Sequence, residues 1–177
     1  RQGLKGITVY VEGSRSGVLV SDAPRDKVFP QNTAPKRPVE LPCNIHHTTI
    51  QGEKWVVMVG LMDDRPYEVM GGLAQYIEIP RDKAVGTLVK HPRKTMNSIY
   101  DLHIGTNGDT VIVKDLVKVF DNPNQSGFTR MISLGLRHGA NIQYVVEQLQ
   151  KDRDSDMFSF AKCIARILKN YIPDGQT

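Results

Sequence analysis

Cysteine is scarce in this chain: Cys43 and Cys163 are the two in 177 residues, 120 positions apart and without CxxC spacing. That argues against a zinc site and against a secreted disulfide framework, and a reducing, cytoplasmic setting is expected. Long apolar runs are missing too. Nothing approaches the ~18 to 20 residues of a membrane span, and no charged-then-apolar signal segment opens the chain, so no membrane partner is expected. Charge of one sign is not in excess either. The net charge is +4 and the pI about 9.1, but basic and acidic groups number 7 and 4 over residues 1–42, 9 and 10 over 43–121, and 7 and 5 over 122–177. A nucleic-acid partner is therefore not expected. The densest basic group, Lys90, Arg93 and Lys94, reads as solvated loop rather than a phosphate footprint.

What is present suits one ordinary domain with an appendage: 40% hydrophobic and 24% charged residues. At this length, roughly 70% of the unfolded chain's surface can be buried without disulfide or metal staples. The chain opens at Arg1 rather than Met, and strand-like residues begin at Leu4. The expectation is a fragment of a longer polypeptide.

Three textures follow one another. LKGITVYV (4–11) is apolar and β-branched with little alternation, as in a strand buried on both faces, and EGSRSG turns after it. Residues 21–42 hold five of the ten prolines, Pro24, Pro30, Pro35, Pro38 and Pro42. Proline removes ladder donors and blocks helix, so this stretch reads as an extended linker. Residues 43–114 read as antiparallel sheet. CNIHHTTI and KWVVMVGLM are joined at Gln51-Gly52-Glu53, a turn at Met62–Arg65 leads to RPYEVMGG, and VGTLVKH, SIYDLHIG and TVIV follow, the last after Asn107-Gly108.

After Lys114 the period becomes helical. FTRMISLGLRHG predicts one helix, stopped at Gly139. Asn141 caps a second, and Asp156 a third whose stripe runs Phe158, Ala161, Ile164, Ala165, Leu168, Tyr171. Strands followed by helices give an α+β fold with the helices covering one face of the sheet. The expected division is 1–20 a strand and turn typical of a barrel or parallel sheet, 21–42 linker, and 43–177 domain.

Local chemistry is sparse. His46 and His47 are adjacent on a strand, so they point to opposite faces and one metal could not easily take both; one is expected half-buried and the other exposed. His91, His103 and His138 have no partner in local sequence. Asp152–Asp156 resembles the opening of a calcium loop but has Met157 where a Gly must turn and Cys163 where a Glu must ligate. Gly13-Ser14-Arg15-Ser16-Gly17 lacks the Lys-Ser/Thr of a P-loop and reads as a turn. Cys163 follows an apolar stripe and is expected packed, whereas Cys43 has no neighbouring cation to lower its pKa.

The strings say more than their composition does. GLKGITVYVEGSRSGVL resembles the end of the catalytic barrel of ribonucleotide reductases, whose class II, adenosylcobalamin-dependent members carry a similar GxKGxTVYRxGSRxGVL run. KRPVELPCNIHHTTIQGEKWVVMVGLMDDRPYEVMGG, FTRMISLGLRHGANIQYVVEQL and DMFSFAKCIARILKNYI resemble the C-terminal extension of the same enzymes, the TSCPD domain. Lys5 is followed by Gly6-Ile7-Thr8-Val9-Tyr10 without the tyrosine pair of reductases that use a separate radical-generating subunit, which favours the cobalamin class. Phe158–Lys162 stands where many members carry the Cys-Pro-Asp string.

The resemblance implies a C-terminal segment of an enzyme that makes deoxyribonucleotides for DNA synthesis, partnered by an upstream catalytic polypeptide. That polypeptide would hold the adenosylcobalamin, the ribonucleotide and the radical and reducing cysteines. Neither Cys43 nor Cys163 takes such a role, so the isolated chain is expected to be inactive. Thr8, Tyr10, Ser14 and Arg15 are the residues expected nearest the substrate, with no catalytic residue and no metal ligand assigned. The competing readings are a free-standing regulatory or adaptor module that binds a reductase subunit or nucleotide, and a small nucleic-acid binder resting on pI alone.

Overall fold

A computed structural model describes residues 32–77, 79–94, 96–105, 110–120, 122–151 and 159–173. The expected barrel-type strand and residues 21–31 of the expected linker lie outside them. Six strands carry the fold: β1 (Glu40–Ile50), β2 (Glu53–Met62), β3 (Arg65–Leu73), β4 (Val85–His91), β5 (Ile99–Ile104) and β6 (Val111–Val113). They form one antiparallel sheet in the order β3-β2-β1-β4-β5-β6, so β1 divides two meanders.

Turn chemistry sets the first meander. Gln51 (φ 51°) and Gly52 (φ 83°) join β1 to β2, and Asp63 (φ 49°) and Asp64 (φ 61°) join β2 to β3. Paired positive φ matches the strands' right-handed twist. β1 begins at Glu40, three residues before the expected Cys43, and contains Pro42. The missing N–H does no harm because it falls on the β2 side, where pairing starts only at Cys43.

Four helices are described: α1 (Leu116–Phe120), α2 (Pro123–Arg137), α3 (Ile142–Gln150) and α4 (Phe160–Lys169). α1 was not separately legible. α2 starts before the expected Phe128, because Asn122 accepts hydrogen bonds from the N–H groups of Asn124 and Gln125 and Pro123 occupies the first turn. Gly139 (φ 79°) lies just past its end. Asn141 caps α3 as expected. Ser159, not Asp156, caps α4, accepting from the Lys162 N–H; Asp156 lies outside the described residues.

The α+β expectation holds, with one addition: both faces of the sheet are covered. On one face, Trp55, Val57, Val59 and Val69 pack against Ile132, Leu136, Val146, Ile164 and Leu168 of α2–α4. On the other, Leu41, Ile45, Val56, Met58, Leu88 and Leu102 pack under Ile77, Ile79 and Leu116, supplied by the β3–β4 connection and α1. Each such apolar side chain contributes ~1.5 to 3 kcal/mol when fully buried. Cys43 belongs to the second core and Cys163 to the first, so the sheet separates the two thiols.

Candidate functional site

The most heavily engineered polar site is one that local sequence does not announce. Glu68, in β3, is fully buried, and its carboxylate is held by Arg37 Nη2 at 2.6 Å from Oε1 and by Arg137 Nη2 at 2.9 Å from Oε2. Arg37 Nε adds bonds of 3.1 and 3.0 Å to the two oxygens. The same guanidinium donates to the carbonyls of Pro38, Val39 and Leu88. Tyr100 and Tyr67 close it in, their rings 5.3 Å from the Arg37 guanidinium carbon and 5.2 Å from that of Arg137. A charge this deep is tolerated only when paired and hydrogen-bonded. The cluster fastens residues 35–39 to β3, β4 and α2, and Tyr67 Oη donates to the Pro35 carbonyl at 2.8 Å. Both carboxylate oxygens are held by guanidinium groups, and although Arg137 Nε is buried without a partner among the described residues, the cluster is a structural clamp.

A second cluster sits where β1 meets the end of α4. Asn44 Nδ2 donates to Tyr171 Oη at 2.8 Å, and Tyr171 Oη lies 2.9 Å from His46 Nε2. With Asn44 donating, the hydroxyl's own hydrogen is left for His46, which accepts only as neutral imidazole. Burial and then the neighbouring His47 hold the His46 pKa below its ordinary value. Burial raises Tyr171.

Neither histidine is exposed, contrary to the expectation for one of them: both are half-buried, and the two side chains do part to opposite faces. His47 Nε2 is buried and unpartnered among the described residues. His47 lines two half-open hollows. The larger, about 700 Å3, lies on the face of Ala74, Ile77 and Ile79; the smaller, about 500 Å3, faces Cys163 and Arg166 of α4.

Two of the remaining histidines, His91 and His138, have partners beyond their local sequence. His91 Nε2 is 2.9 Å from Asp101 Oδ2, whose Oδ1 accepts from the Asp115 N–H at 2.8 Å. His138 Nδ1 lies 2.6 Å from the Asn32 carbonyl. Cys43 does have a cation near it, Arg37, but burial and then the charge of Glu68 outweigh it and push the thiol up to about 12. Burial raises Cys163 also. Among the described residues no three His, Cys, Asp or Glu side chains group as metal ligands, and no helix is long and apolar enough to cross a membrane. Thr8, Tyr10, Ser14 and Arg15, the Gly13–Gly17 turn and Asp152–Asp156 lie outside the described residues.

A family model described as the NrdJ homologue C-terminal domain matches residues 41–173. The chain belongs to that family. Membership relates it to the C-terminal region of the class II ribonucleotide reductase NrdJ. The match covers all six strands and four helices of this NrdJ-related domain. Arg37 stands just before the matched range, yet it is bound into the domain through Glu68. Neither a curated protein nor a solved structure matches the chain.

Proposed function

We propose that the chain is the C-terminal segment of an adenosylcobalamin-dependent ribonucleotide reductase, working in the cytoplasm on deoxyribonucleotide supply for DNA synthesis. In this reading residues 43–177 are a TSCPD-type extension domain that supports a catalytic barrel supplied by upstream polypeptide. Residues 1–20 complete that barrel, with Thr8, Tyr10, Ser14 and Arg15 on its substrate side, and residues 21–42 connect the two. The observation that carries the reading is the family match over residues 41–173.

The chemistry of the described residues is consistent with a supporting role. Both thiols are buried, one in each core, and so out of a nucleotide's reach. The hollows beside His47 do not suit adenosylcobalamin either. The larger of the two hollows at His47, about 700 Å3 and half-open, is of the size usual for drug-sized ligands, ~300 to 1,000 Å3, and a corrinoid with its adenosyl and nucleotide arms is far larger. Cofactor and substrate are assigned to the upstream part.

The test is association. The upstream reductase polypeptide, expressed without residues 1–177, is titrated with this chain by calorimetry. A saturable one-to-one complex is expected. No binding up to ~100 μM, with both parts folded, would remove the supporting role; a complex of that Kd has only about −5.5 kcal/mol of free energy.

A further inference from the structure

The borders of the sheet are not alike. α2 lies along the outer edge of β3, and Ser133 Oγ accepts the Val69 N–H there at 2.9 Å. β6, at the other end, is three residues long. The third border is internal. β1 pairs with β4 through Glu40–Asn44, and Ile45 donates its N–H to the Ala84 carbonyl at 2.7 Å. Beyond Ile45, β1 continues to Ile50 with β2 as its one strand neighbour among the described residues. Since backbone groups alternate along a strand, the N–H and C=O of His47 and Thr49 face the open side.

Flanking this edge are the two hollows, one on each face, both bordered by His47, Thr48 and Arg81. A strand laid along an edge sends alternate side chains to the two faces, so its substituents would enter the hollows in turn. Among the described residues that line the hollows, the charged ones are basic. Lys54 and Arg81 line the first hollow and Arg81 and Arg166 the second; all three are exposed and lack a carboxylate partner among the described residues. Asp82, beside Arg81 in sequence, lies 3.7 Å from Lys83, and Glu53, beside Lys54, is exposed. The buried, unpartnered Nε2 of His47 adds a polar atom between the hollows.

We propose that the open side of residues 46–50 binds an extended acidic peptide segment of a partner protein by strand addition. The main chain there, without a strand partner on that side among the described residues, selects a peptide over a free anion, and Lys54, Arg81 and Arg166 select acidic side chains. This inference does not rest on the reductase reading.

The test uses the full chain and a fluorescein-labelled peptide of alternating Glu and Val, eight residues long, followed by anisotropy. Saturable binding is expected, weakened about tenfold or more by Arg81→Glu with Arg166→Glu, and by Thr49→Pro. Thr49→Pro removes an N–H on the open side and leaves pairing to β2 in place; circular dichroism reports whether that variant folds. Alternate N-methylation of the peptide backbone, and a Lys-Val peptide of the same length, should abolish binding. The N-methylated peptide keeps the test decisive if Thr49→Pro does not fold. The proposal is overturned if no peptide binds, if the N-methylated peptide binds as well, if charge reversal leaves affinity unchanged, or if inorganic phosphate or an oligothymidylate displaces the peptide at equal concentration.

Discussion

Arg37 and Glu68, 31 residues apart, form a bidentate pair in which the carboxylate is fully buried and Nη2 lies 2.6 Å from Oε1. The arginine lies before the family-matched range and the glutamate within it. Removing one member of a buried pair leaves a charge without compensation, at a cost of ~3 to 5 kcal/mol. Glu68→Leu, which strands both arginines, should lower the urea-unfolding free energy by about that much; Arg37→Met, which leaves Glu68 paired with Arg137, should cost less, and the double variant clearly less than the sum. Strict additivity would show that the two side chains do not act as a unit. Starting the chain at Glu40 should reproduce most of the Arg37→Met loss.

His46 sets an acid-side dependence. Its folded pKa lies below the ordinary 6.5 because burial and His47 oppose the charged form. The unfolded chain therefore binds a proton first as pH falls. Stability is complete above about 6.5, and this contribution declines as pH drops from there toward the lower folded value. Tyr171→Phe removes the hydroxyl beside Nε2. It should move the NMR titration of His46 toward 6.5 and flatten the decline. An unmoved titration would mean that the hydroxyl does not hold the neutral ring.

The thiols set an alkaline dependence of opposite sign. Cys43 is raised from 9.0 to about 12 by burial and by Glu68. Stability is intact below about 9 and falls as pH climbs toward 12, by up to about 1.4 kcal/mol per pH unit from this group. Cys43→Ala should shallow that slope. At pH 8, a thiol reagent should find neither cysteine in the native protein and both in urea. Rapid native labelling of either would contradict the burial.

Gly72 is a contact point. A Cβ there would stand 2.6 Å from Phe120 Cδ1 and 2.9 Å from Cγ, in the short helix α1. Gly72→Ala should cost ~1 to 3 kcal/mol by overpacking, and Phe120→Leu in the same chain should recover part of it. An equal loss with and without Phe120 would move the cause elsewhere.

Much of the fold could be read because it is local. Gln51-Gly52 and Asp63-Asp64 announce turns through residues that tolerate positive φ, and the stripe of Ile164, Ala165 and Leu168 announces a buried helix face. What could not be read is set by distance along the chain. Glu68 stands in the apolar run Tyr67–Met70, a local signal of a buried charge, but its partners lie 31 and 69 residues away and nothing near them marks the pairing. One of His46 and His47 was expected exposed because neighbours on a strand face opposite ways; both are half-buried, His46 against Tyr171 and His47 under the β3–β4 connection. Asn122 and Ser159 cap their helices one residue ahead of weak apolar starts, where periodicity has not yet accumulated. The open side of β1 is visible only once β4 is seen to stop pairing at Asn44.

If this chain completes a reductase rather than acting alone, product formation depends on it. The most direct measurement is deoxyribonucleotide formation by the upstream polypeptide, supplied with adenosylcobalamin, a dithiol and a ribonucleotide, with and without this chain. The chain by itself should form none, and its addition should raise the upstream part's yield several-fold in proportion to the complex formed. Full yield from the upstream part alone, unchanged by saturating amounts of the chain, would contradict the account.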